Sequence, residues 1–425
     1  MEHKGRFISK SERAYQNRMH KPQFVVSYLK NKESRCRIES PTPFFGWRYL
    51  TWIIATLLSL LLPLAPVAFA MELKGMGYNG NGQLGSGTPT DRPMLIANDV
   101  SKAAAGFNHS LFIKTDGTLW SMGWNSSGQL GDGTTTPHST PAQVLDASGV
   151  AQVAAGYDHS LFIKTNGTLW AMGYNAYGRL GDGTTTNQST PVQIANDVAQ
   201  VAGGGSHSLF VKTNGTLWAM GYNGLGELGD GTTNNHSTPV QVATEVAQAA
   251  AGNVHSLFVK TNGTLWAMGY NGLGELGDGT TNNHSTPVQV ATEVVWVTAG
   301  DHHSLFIKSN GTLWAMGRNN FGQLGDGGTT DQNKPVQVAS DVAQVAAGGN
   351  HSLFVKTDGT LWGMGANQQN QLGDGSYTSK STPVQIATDV TQVTAGLLYS
   401  MFVQQSNITP RPVHYLPMVI ELLME

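Results

Sequence analysis

The chain has 425 residues, of which 40% are hydrophobic and 12% charged, with 52 glycines, one cysteine and a formal net charge of −3. That size and apolar fraction allow a large buried core. A single cysteine excludes a disulfide framework, and the near-neutral balance excludes the dense positive footprint of a nucleic-acid binder.

Residues 1–48 form a basic, polar extension with 11 Lys/Arg against 4 Asp/Glu, and they hold the one cysteine, Cys36. Residues 49–70 carry no charge. Ile53–Leu64 is an apolar run, prolines follow at 63 and 66, and Ala68-Phe69-Ala70 has the small-x-small pattern of a cleavage site. This is the layout of a secretory signal peptide cut after Ala70, behind an unusually long basic flank. The competing expectation is an uncleaved membrane anchor over the same residues. The rest of the chain carries 14 Lys/Arg and 24 Asp/Glu, so the body is acidic and the basic leader hides it. An acidic body points away from nucleic acid as a partner.

Residues 71–404 are built on a repeat. His207–Val246 recurs unchanged at His255–Val294, which is 40 identical residues. Looser copies begin at His109, His159, His303 and His351, and a degenerate one at Tyr399, with steps of 50, 48, 48, 48, 48 and 48 residues. A fixed period of about 20–50 residues marks a solenoid, a propeller or an array. Each copy runs through a short apolar segment (Gln152–Ala155), His-Ser and Leu161–Lys164, then Asn166-Gly167, then Leu169–Gly173. A Gly-rich loop and Pro191–Ile194 close the unit. Asn-Gly or Asp-Gly between two β-rich runs is a hairpin signal. Four strands per repeat, with no 3.6-residue periodicity, is the blade of a β-propeller.

The Met-Gly half of the motif occurs seven times, first at Met76, and the His-Ser half six times plus Tyr399-Ser400. Lys74–Pro93 lacks a first half and Ala395–Gln404 lacks a second. The two ends are expected to pair into a seventh blade, removing open sheet edges. Residues 405–425 are a tail broken by Pro410, Pro412 and Pro417, with a short apolar piece at Pro417–Met424.

Val153–Ile163 and the Gly-Gln-Leu-Gly stretches at Gly128–Gly131 and Gly322–Gly325 resemble the regulator of chromosome condensation repeat family, and the resemblance recurs over residues 74–404. It implies an all-β, seven-bladed propeller of four-stranded blades closed by split N- and C-terminal half-blades. It leaves function open, because the family includes nucleotide exchange factors for small GTPases, plant photoreceptors and secreted bacterial inhibitors.

Gly80–Gly85, Gly224–Gly229 and Gly272–Gly277 match G-x-G-x-x-G, but a loop follows where a dinucleotide site needs a helix. The aligned histidines (His109 to His351) are spread one per blade and cannot converge on a metal; packed histidines bridging backbone groups are expected. The Asp-Gly aspartates (Asp132 to Asp374) read as turns, the aligned tryptophans (Trp120 to Trp362) as packing between blades, and the lysines before the hairpins (Lys114 to Lys356) as solvated rim charges. No catalytic, cofactor or metal residues are expected, and two blades identical over 40 residues leave little room for a unique catalytic site.

Variable residues gather in the first-to-second and third-to-fourth strand loops, which alternation of strand direction places on one face. Phe107, Trp124, Tyr157, Tyr174, Tyr177, Tyr222, Tyr270, His302, Arg318 and Phe321 are the candidate partner-binding residues, since aromatics and Arg are enriched at binding hot spots. The alternative is that these rings pack within their own loops. The expectation is a monomeric, secreted or surface-exposed binding module for a protein partner. The alternative is an exchange-factor-like regulator of a small GTPase.

Overall fold

The computed structural model describes residues 69–85 and 90–407. The basic extension, the leader up to residue 68, residues 86–89 and the tail from 408 lie outside the described residues, and so do the expectations placed on them.

The described chain forms seven four-stranded antiparallel sheets. The second blade is typical: Val150–Ala155, His159–Lys164, Leu169–Gly173 and Gln188–Ala195. The second strand of each repeat is buried at five successive positions, as in His207–Lys212. A strand covered on both faces reads as a continuous apolar run instead of an alternating one, and here the covers are the two neighbouring blades. Leu161, Ile163, Leu169, Ala171 and Leu180 of the second blade meet Phe210 and Met220 of the third in one core cluster, with Trp218 against it. The same exchange recurs around the ring, so the aligned tryptophans do pack between blades.

Closure follows the half-motif count. The last blade takes Val390–Ala395 and Tyr399–Asn407 from the C-terminal side and Phe69–Gly77 and Thr90–Asn98 from the N-terminal side. Phe69–Gly77 pairs with Tyr399–Asn407 without a register break, from Phe69↔Asn407 to Gly77↔Tyr399. The closing strand therefore starts upstream of the expected cleavage point, with Ala70 opposite Ser406. Val390–Ala395 then packs on Val100–Ala105, completing the inner ring of first strands.

A girdle of side-chain bonds ties blade to blade. Nε2 of His109, His159, His207, His255, His303 and His351 lies 2.8–2.9 Å from Oγ of a serine in the next blade, Ser160, Ser208, Ser256, Ser304, Ser352 and Ser400. Each of those serines donates to a main-chain carbonyl of the histidine's own blade, as Ser208 does to Arg179 at 2.8 Å. The serine proton is thereby committed, so the histidine is the donor and its Nδ1 is bare. At the closure Tyr399 replaces histidine: Ser110 Oγ is 2.9 Å from its hydroxyl, whose proton goes to the carbonyl of His109 at 2.6 Å. The aligned histidines thus bridge blades through hydroxyls, where backbone partners were expected. The lysines before the hairpins also differ from expectation. Their amines lie over the indole rings, from 4.3 Å at Lys114–Trp120 to 5.4 Å at Lys260–Trp266. A cation gains by sitting on a π-face while its alkyl stem covers apolar surface.

Candidate docking surface

Antiparallel order puts two loop sets on one face. The short Gly-x-x loops between first and second strands converge at the axis and line a cavity of about 100 Å³ that takes residues from all seven blades. The long third-to-fourth loops surround it. The hairpins and blade-to-blade connections lie on the opposite face.

Main-chain bonds run around the central mouth. Tyr157, Gly205, Asn253, Asp301 and Gly349 donate their N–H to Gly204, Gly252, Gly300, Gly348 and Gly396 of the following blade, at 3.0–3.3 Å. The glycines leave room for nothing else: a Cβ on Gly156 would sit 2.1 Å from His159 Cε1 and 2.5 Å from the carbonyl of Gly204. Across this ring the Tyr157 hydroxyl donates to Asp301 Oδ1 at 2.7 Å, joining the second and fifth blades. The Phe107 ring tilts against Tyr157 at 4.5 Å. Burial raises the pKa of Asp301, opposed by the Tyr157 bond and by His302 and Arg318 nearby. Burial and the Asp301 carboxylate raise that of Tyr157 as well.

The long loops are held by an internal polar frame. In the second blade Asn175 accepts from Leu180 N–H at 3.0 Å and donates to Asp182 at 3.0 Å, while Asp182 Oδ1 accepts from Thr184 N–H at 2.9 Å. The Asp-Gly aspartates are therefore turn elements, and at Asp182 a burial effect that raises the pKa is outweighed by these bonds, which hold it low. In the third and fourth blades the outer oxygen of this aspartate meets a histidine, His236 and His284, both at 2.9 Å. In the first blade His138 takes the same place beside Asp132.

One position varies with consequence. Gln83, Gln129, Glu227, Glu275, Gln323 and Gln371 each accept the N–H of the residue two places earlier, at 2.9–3.0 Å. The second blade has Arg179 there, which has no acceptor. Its guanidinium instead donates to Gly205 O at 2.9 Å and lies 4.6 Å over the Tyr174 ring. The loop rearranges into a short 3-10 turn, and Tyr177 takes φ of +66°, an uncommon conformation for a non-glycine residue. Tyr177 is 47% exposed and makes an edge contact with Tyr222 at 5.0 Å.

The identical third and fourth blades show how a neighbour decides an environment. Glu275 is fully buried and meets Nδ1 of His302 at 3.1 Å, and His302 in turn has its ring edge on Tyr270 at 5.9 Å. Glu227 occupies the same place one blade earlier, but the residue at the His302 position is Val254. Glu227 Oε1 is buried without a partner, and burial raises its pKa.

All ten candidate residues therefore fall on the loop face, in different settings. Phe107 and Tyr157 cap the axis. Tyr222 and Tyr270 lie over loop glycines, with their hydroxyls 2.2 Å from where a Cβ of Gly224 or Gly272 would be. Tyr174 is covered by Arg179 and His302 is paired with Glu275. Arg318 and Phe321 are half-buried. Only Trp124 and Tyr177 of the ten are more than a third exposed. Sequence reasoning passed over Asp301 and Arg179 as site residues; the signal for Arg179 is departure from the Gln or Glu that the other blades carry there, whereas the Asp301 position differs in nearly every blade and gives no such signal.

No curated protein matches the chain. Among solved structures, Prp20p from Saccharomyces cerevisiae is 22% identical with a TM-score of 0.73, covering 80% of this chain and 92% of its own. Human WBSCR16 is 22% identical with a TM-score of 0.70, covering 79% of this chain and all of its own. Yeast RCC1 (Prp20) bound to Kap60 is 21% identical with a TM-score of 0.71, covering 89% and 97%. These likenesses establish the fold. The family model described as the RCC1-like domain matches residues 72–402, and the chain belongs to that family.

Proposed function

We propose that the chain is a non-enzymatic scaffold acting outside the cytoplasm, and that its loop face docks a protein partner. The observation that carries the docking reading is the exposure of Trp124 and Tyr177 on loops of neighbouring blades, on the same face as the half-buried Phe107, Tyr157, Arg318 and Phe321. Protein binding is recorded among the structural relatives: Prp20p was described with binding to Gsp1p and histones, and the yeast protein with Kap60 bound. The extracellular part rests on the leader pattern at residues 49–70. Phe69, where the closing strand begins, is at the hairpin end of its blade, opposite Asn407.

Three experiments test this. Cell fractionation with N-terminal sequencing should find the mature protein outside the cytoplasm, beginning near Met71; an intact cytosolic chain favours the exchange-factor reading. A photo-crosslinker at Trp124 or Tyr177 should capture a partner that one at Lys212, on the hairpin side, does not. The double variant Trp124→Ala, Tyr177→Ala should weaken that partner at least tenfold with unchanged thermal stability. Equal capture from both faces refutes the docking assignment.

A further inference from the structure

The second, third and fourth blades each carry a tyrosine directly after Met-Gly: Tyr174, Tyr222 and Tyr270. Two of the three meet a nitrogen-bearing side chain of the chain itself. The Arg179 guanidinium lies 4.6 Å over Tyr174. The His302 imidazole has its edge on Tyr270 at 5.9 Å, and its Nδ1 is 3.1 Å from Glu275 Oε1. Tyr222 meets neither kind of group among the described residues. Its ring contact is the edge of Tyr177, at 5.0 Å.

The junction of the third and fourth blades is otherwise built like that of the fourth and fifth. Leu225 and Leu273 each donate an N–H to Oε2 of the glutamate two places on, at 2.9 Å, which fixes Glu227 and Glu275 alike. The main chains meet in the same way. A Cβ on Gly269 would be 3.3 Å from Glu227 Cα and 2.8 Å from the Val254 carbonyl oxygen; one on Gly317 would be 3.3 Å from Glu275 Cα and 2.6 Å from the His302 carbonyl oxygen.

One side chain differs: Val254 stands where His302 stands. Valine has no donor, so Glu227 is fully buried with no hydrogen-bond partner at Oε1. A buried carboxylate oxygen left in that state is costly. Val254 and Tyr222 are only half-buried, so the place reaches the surface of the loop face. A carboxylate beside an aromatic ring favours a guanidinium twice, through charge-assisted hydrogen bonds and through the π-face. The guanidinium is also planar, like the imidazole that fills the next junction.

We propose that an arginine of the docked partner enters here, displaces the Val254 methyls, sets its guanidinium against Tyr222 and donates to Glu227 Oε1. It takes the place over Glu227 that His302 holds over Glu275. The assignment rests on the docking reading above and names one contact on that face, between the third and fourth blades and beside the exposed Tyr177.

N-acetyl-arginine amide is the probe, with N-acetyl-citrulline amide as its uncharged isostere, each titrated into the full chain carrying ring-labelled tyrosine. The arginine probe should shift the Tyr222 resonance saturably and bind at least tenfold more tightly than the citrulline probe. Glu227→Gln keeps the acceptor for Leu225 N–H, and Val254→His fills the place from within the chain. Each should weaken the arginine probe at least tenfold with no loss of thermal stability. Equal binding of the two probes, no shift of Tyr222, or binding that survives Val254→His overturns the assignment. The partner captured by crosslinking separates the two readings. A partner that binds wild type and Glu227→Gln equally overturns the arginine contact and leaves docking intact. A probe shift with no partner captured keeps the site and overturns docking.

Discussion

Acidification should open the ring through its histidine girdle. Nδ1 of all six histidines is buried with no partner, and a proton there puts an uncompensated charge against glycine backbone. Burial lowers the pKa of His109 from 6.5 to about 4 and those of His207, His303 and His351 to about 3. Burial also puts His159 and His255 well below the ordinary value. A base whose folded pKa is depressed binds more protons unfolded than folded between the two values, so stability rises with pH across that window. It is full above about 6.5 and falls as pH drops toward 4. The slope is about 1.4 kcal/mol per pH unit for each histidine, so pH 5 costs about 2 kcal/mol per histidine relative to pH 7. The four with assigned values together cost on the order of 8 kcal/mol, comparable with the whole stability of many domains. Denaturant unfolding followed by tryptophan fluorescence at pH 7.5, 6.5, 5.5 and 5 should show this loss. His207→Gln should flatten the slope by about one proton. A midpoint that stays constant from pH 7.5 to 5, or a girdle histidine titrating near 6.5, refutes the reasoning.

Arg179→Gln supplies the missing acceptor for Tyr177 N–H. It should return φ of Tyr177 to negative values and lower its exposure, seen as reduced iodination of Tyr177, with stability raised by about 1 kcal/mol. Val254→His should recreate the His302–Glu275 pair beside Glu227 and raise the denaturant midpoint by a similar amount; no change would mean that Oε1 finds water. Tyr399→Phe leaves Ser110 and the carbonyl of His109 short of one bond at the closure and should cost about 1–3 kcal/mol in thermal unfolding. Gly156→Ala collides with His159 and with Gly204 O and should cost more than about 4 kcal/mol.

The blade itself was legible because its signals are local. Asn-Gly and Asp-Gly hairpins, a fully apolar second strand and the seven-fold count of half-motifs each act within a few residues or along the chain, and all led to the observed sheets. The His-Ser pairs were visible as a repeat, but their partners were not, since each bond joins residues 49 or 51 apart in different blades. The loop-face residues were placed on the right face by strand alternation alone. Their exposure was not readable, because it depends on what each loop packs against: Tyr222 and Tyr270 fold back over glycines, while Tyr177 is turned outward by an arginine two residues away.

The sequence by itself determined a closed, seven-bladed ring and the face that carries its variable loops, because period, turn chemistry and strand direction are properties of the chain. Tertiary structure alone decided the environment of each variable residue. Glu227 and Glu275 lie in identical 40-residue stretches, yet only the Glu275 carboxylate meets a histidine, since that partner comes from the following blade. Tyr157 and Asp301 meet across the axis with 144 residues between them. No local rule reaches that far; ring closure brings them together.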